Sequence, residues 1–83
     1  MNKSAKEMFE KLGYEKTNSK LLTYRSNDGG YIEQIMFSEV GHKIIFREWE
    51  EYNNYQPQGQ FTVYMDLLRA INQQCKELGW LDD

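Results

Sequence analysis

A chain of 83 residues, 40% hydrophobic and 14% aromatic, forms one small domain with enough apolar volume for a core, which excludes a disordered polymer. A net charge of -3 is too small to define a partner, and the overall acidity argues against a membrane-surface binder. One cysteine, Cys75, excludes an internal disulfide and gives the expectation of a reducing, cytoplasmic setting.

No apolar run near Met1 reads as a signal peptide, and none reaches membrane-spanning length, so a soluble protein is expected. The charge is unevenly spread. Residues 1–25 carry six Lys or Arg against three Glu, whereas residues 26–83 carry four against ten acids.

The first helix is expected over residues 5–12. Ser4 and Glu7 stand at capping-box spacing, and Ala5, Met8, Phe9 and Leu12 make one apolar stripe. Gly13 then supplies a left-handed residue, and a Schellman ending folds Tyr14 back onto Phe9. A polar connector over 15–19 leads to a strand over 20–26. The Asn27-Asp28-Gly29-Gly30 stretch is a strong hairpin turn, followed by a strand over 31–38. A second turn around Gly41 and His42 leads to a strand over 43–49, completing an antiparallel three-stranded meander.

Residues 50–60 hold the amides, the one proline and Gly59, and read as a loop, with a short fourth strand over 52–56 as the alternative. The second helix is expected to begin after an N-cap at Thr62 and run to Leu78. Its stripe is Tyr64, Leu67, Leu68, Ile71, Cys75 and Leu78, and Gly79 and Trp80 repeat the Schellman ending. The fold class is therefore α+β, α-β-β-β-α, with both helices packed on one sheet face. Alternation puts Leu22, Tyr24, Ile35, Phe37, Ile44 and Phe46 on that inner face. Leu21, Ile32, Met36, Ile45 and Trp49 fall on the outer face with Thr23, Arg25, Gln34 and Arg47, which is unusually apolar for a free surface.

No residue pattern demands a chemistry. The single His42 and single Cys75 leave no ligand pair for a metal site; His42 reads as a turn residue and Cys75 as a core filler with an inert thiol. Glu48, Glu50 and Glu51 read as a solvated edge, and Gly29-Gly30 joins two strands, which does not make a phosphate cradle. The expectation is therefore a non-enzyme without cofactor, metal or small-molecule ligand.

The element order is similar to that of double-stranded-RNA-binding domains. That family opens its second helix with a lysine cluster, whereas the corresponding residues 60–66 here contain no base. Nucleic-acid binding through the basic N-terminal region (Lys3, Lys6, Lys11, Lys16 and Lys20) is the alternative reading. The leading one is a protein-interaction module, homodimeric through the outer sheet face. Its candidate partner-binding residues are Ile32, Met36, Ile45, Arg47, Trp49, Tyr52 and Tyr55, because Trp, Tyr and Arg concentrate at interaction hot spots. Phe61 closes the same aromatic cluster from the far side of the loop.

The stretches Met8-Phe9-Glu10-Lys11-Leu12-Gly13-Tyr14, Leu68-Arg69-Ala70-Ile71 and Glu77-Leu78-Gly79-Trp80 carry one further likeness. In them the chain resembles the small uncharacterised proteins of Gram-positive bacteria and their prophages or mobile elements. The resemblance implies a biological setting and brings no catalytic or binding residues with it.

Overall fold

The computed structural model describes residues 3–17, 19–51 and 61–81. In chain order the elements are α1 (Ala5–Lys11), β1 (Glu15–Thr17), β2 (Leu22–Asp28), β3 (Tyr31–Ser38), β4 (Lys43–Glu50) and α2 (Met65–Glu77). The strands form one antiparallel sheet in the order β1-β2-β3-β4.

Local sequence explains both ends of α1. The Glu7 N–H donates to Ser4 Oγ at 3.2 Å and the Ser4 N–H donates to Glu7 Oε1 at 3.1 Å, a complete capping box. At the other end the Tyr14 N–H reaches Phe9 O at 3.0 Å and the Gly13 N–H reaches Glu10 O at 3.0 Å. The Tyr14 ring meets Phe9 edge-on at 5.9 Å. The ending of α2 repeats this pattern, with Trp80 N–H to Cys75 O at 2.8 Å and Gly79 N–H to Lys76 O at 3.0 Å.

The sheet has four strands, one more than the pattern of apolar residues announces. Residues 15–17, expected as part of a connector, pair with β2 in the register Glu15↔Arg25, Lys16↔Tyr24 and Thr17↔Thr23. This edge strand is made by backbone pairing alone. The turn after Gly13 aims the chain along β2, and a Glu-Lys-Thr run has no apolar alternation to betray it. The hairpin between β2 and β3 is also tighter than expected. Asp28 still pairs with Tyr31, and only Gly29 and Gly30 turn, at φ 62° and 94°, both in the left-handed region a two-residue loop requires. The alternative strand over 52–56 lies outside the described residues.

Helix α2 starts later than its sequence suggests. Its N-cap is Tyr64, not Thr62, and no side chain caps it. The buried face is Leu67, Ala70, Ile71, Gln74 and Cys75, while Tyr64 and Leu68, expected on the stripe, are 63% and 38% exposed. The fully buried Ala70 lies on this face, and α2 packs against α1 as well as the sheet.

Both helices lie on the inner sheet face, because both meet the same residue. Phe9 of α1 stacks on Tyr24 at 3.9 Å between ring centroids, and the Tyr24 hydroxyl donates to Gln74 Oε1 of α2 at 2.6 Å. Phe37 meets Phe9 and Tyr24 edge-on. Burying each such ring contributes roughly 1.5–3 kcal/mol, against about 1 kcal/mol for a helix cap, so packing on this ring cluster dominates helix docking.

Candidate interaction surface

With both helices on one side, the outer face is built by register. Three rows run across the strands: Thr17, Thr23, Met36 and Ile45; then Glu15, Arg25, Gln34 and Arg47; then Asn27, Ile32 and Trp49. Neither described helix reaches this side. The face therefore brings together Met36, Ile45, Arg47 and Trp49, as alternation requires.

Its surface is more closed than the sequence implies. Ile32 is only 2% exposed, which removes it from the partner-contacting set and makes it a buried support beneath the face. Arg25 and Trp49 lie on the strands either side of β3, yet the Arg25 guanidinium sits 5.3 Å from the indole centroid. The pair crosses β3 diagonally between Ile32 and Gln34. Thr23 is likewise 2% exposed; its hydroxyl donates to Leu21 O at 2.9 Å and accepts from Ser19 Oγ at 2.9 Å. Met36 and Trp49 are half-buried, and Ile45 is 38% exposed. Tyr52 and Tyr55 lie outside the described residues.

The inner face holds an arrangement that sequence reading missed. Glu33 on β3 stands directly across from Glu48 on β4. Tyr14 OH donates to Glu33 Oε1 at 3.4 Å, and Tyr31 OH donates to Glu48 Oε2 at 2.6 Å. Burial lifts the Glu33 carboxyl above its ordinary value, with repulsion from Glu48 and Asp28 acting the same way against the Tyr14 bond. The bond to Glu48, followed by burial, pushes the Tyr31 phenol up to about 12. Burial, then the Glu33 charge, raises Tyr14 as well. The signal was present in strand alternation combined with the register of the four-residue turn over 39–42, which together put residues 33 and 48 opposite. Ser26 on β2 stands across from Glu33 on the same face, so the two carboxyls adjoin a serine hydroxyl and two tyrosine hydroxyls. Among the described residues, no group of three or more His, Cys, Asp or Glu is placed to hold a metal ion.

The other residues singled out in the sequence are held as follows. His42 stacks flat on Trp80, with ring centroids 4.7 Å apart and planes 6° from parallel. Cys75 is buried in the core, and desolvation raises its thiol, which disfavours a thiolate. The basic N-terminal region carries mixed charge: Lys6 lies 3.8 Å from Glu10 on the exposed side of α1. No helix among the described residues is long and apolar enough to cross a membrane. Comparison with protein families, with curated proteins and with solved structures finds no match for the chain.

Proposed function

We propose that the chain is a non-enzymatic protein-interaction module, acting in the cytoplasm, that self-associates through the helix-free face of its sheet. The observation that carries this reading is the Arg25–Trp49 contact on the same sheet face as the exposed Ile45. It is a preorganised Trp–Arg pair on a face with no described helix over it. Such pairs give a large rigid contact area at little conformational cost.

The available area sets the expected strength. Strands of three, seven, eight and eight residues, at about 3.3 Å per residue and about 4.8 Å spacing, give about 400 Å² in plan per copy and about 800 Å² across two. That is below the usual size of a stable interface, so association is expected to be weak, reversible and concentration-dependent.

Sedimentation equilibrium across the micromolar range tests it. Wild-type mass should rise toward twice the monomer value, and Ile45→Lys should hold the chain monomeric without changing its circular dichroism. A wild-type monomer at every concentration refutes self-association. Anisotropy change with a short labelled nucleic acid at low salt, lost on charge reversal of Lys6 and Lys11, would favour the basic N-terminal region instead.

A further inference from the structure

Resting on the self-association reading, we propose that the dimer two-fold runs parallel to the strands, between β2 and β3, so that Glu15 of each copy meets Arg47 of the other. The argument is the charge order across the outer face. Register places Glu15 on β1 at one edge and both Lys43 and Arg47 on β4 at the opposite edge. Arg25 is the one charged residue of the outer face on β2, and Gln34, Met36 and Ile32 on β3 are uncharged.

A closed face-to-face pair has two simple orientations. With the two-fold across the strands, every strand lies over its own copy. β4 then sets Lys43 and Arg47 against Lys43 and Arg47, and β1 sets Glu15 against Glu15. Sliding along the strands can set Arg47 against Ile45 or Trp49 but gives it no ion pair, because the outward residues of β4 between Lys43 and Trp49 include no acid. Glu51, the nearest, lies beyond the strand end.

With the two-fold along the strands, the order reverses. β1 lies over the partner's β4 and β2 over the partner's β3. Glu15, level with Arg25, Gln34 and Arg47 in one row, then faces Arg47 twice over, once in each direction. Arg25 faces the uncharged Gln34. Aligned sheets about 10 Å apart with strands within about 30° of parallel fit this axis, and side chains as long as Glu and Arg meet across that gap. Lys20 and Lys43 approach only at the solvated rim, where salt screens them. Like charges set against each other oppose association, whereas the reversed order turns the same residues into two ion pairs.

Charge reversal in trans decides the matter. Glu15 and Arg47 are both exposed, so each reversal should leave the core intact, and circular dichroism of each variant checks the edge pairing, where residue 15 lies across from Arg25. Glu15→Arg alone and Arg47→Glu alone should each weaken dimerisation by about tenfold or more, since each puts two like-charge contacts in the interface. An equimolar mixture of the two single variants should recover near wild-type affinity, as should the double variant, because both restore opposite charges at every contact. Sedimentation equilibrium reads all four samples. A wild-type dimer that Ile45→Lys dissociates, but in which the single reversals are harmless or the mixture fails to recover, overturns this two-fold and leaves self-association standing. A wild-type chain that stays monomeric overturns both.

Discussion

The hydroxyl of Tyr24 on β2 and the side-chain oxygen of Gln74 on α2 meet at 2.6 Å inside the core, fifty residues apart in sequence. Here a buried polar group ties the second helix to the sheet by direction as well as by packing. Burial, then the charges of Glu77 and Glu10, pushes the Tyr24 phenol up to about 12, so the donor stays protonated through the physiological range.

Tyr24→Phe removes that donor and leaves the Gln74 oxygen buried and unpaired. The expected loss is about 1–3 kcal/mol, measured by urea denaturation. Gln74→Leu should cost a similar amount, and the double variant clearly less than the sum. Additive losses would show that the two groups do not act as a pair.

Glu77 provides a test in which local and tertiary physics predict opposite signs. It ends α2, where a carboxylate opposes the helix dipole, so removing its charge should stabilise the helix taken alone. Instead its Oε2 accepts the Ala5 N–H at 2.7 Å and so caps the start of α1. Glu77→Ala is expected to lower stability by about 0.5–2 kcal/mol, with Glu77→Gln intermediate. A rise in melting temperature for either variant would show that the cap contributes nothing.

The Glu33–Glu48 pair gives the pH dependence a definite sign. Glu33 has its folded value raised above the 4.5 of a free side chain. The folded state therefore holds a proton that the unfolded state has already released. Stability from this group is complete below 4.5 and is lost as pH rises from there through the raised folded value. At neutral pH Glu33→Gln should stabilise by about 0.2–1 kcal/mol and flatten the denaturation midpoint against pH across that window. An unchanged pH profile would rule the pair out as its source.

His42 adopts φ 50°, a left-handed backbone that favours glycine, while its ring lies on Trp80. The stack is worth about 0.5–1.5 kcal/mol and the backbone strain about 1–2 kcal/mol. His42→Gly exchanges one for the other and should leave the melting temperature nearly unchanged. His42→Ala loses the stack and keeps the strain, so it should be the less stable variant. The reverse order would mean that the left-handed backbone carries no strain, and a His42→Ala chain as stable as wild type would mean that the stack carries no stability.

What could be read from the sequence follows from which physics acts locally. Leu12-Gly13-Tyr14 and Leu78-Gly79-Trp80 terminate helices through bonds spanning five residues, so both endings were legible and both are present. The two sheet faces follow from alternation, so the places of Ile45 and Arg47 on the outer one were legible as well, whereas the two-residue hairpin was not. β1 was not, because Glu15, Lys16 and Thr17 are a strand only through what they pair with. Gln74 was passed over because a polar residue on a helix gives no sign of being buried until its partner, Tyr24, is placed. Ile32 was read as a contact residue because a single strand does not reveal that Arg25 and Trp49, on its two neighbours, reach toward each other across β3 beside it.

Tyr24 is gripped by Phe9 from fifteen residues away and by Gln74 from fifty. Closing the shorter loop costs less chain entropy, so α1 and the β2–β3 hairpin can assemble first, and docking of α2 becomes the late event on the folding route. Substitutions at Gln74 and Cys75 should then speed unfolding far more than they slow folding.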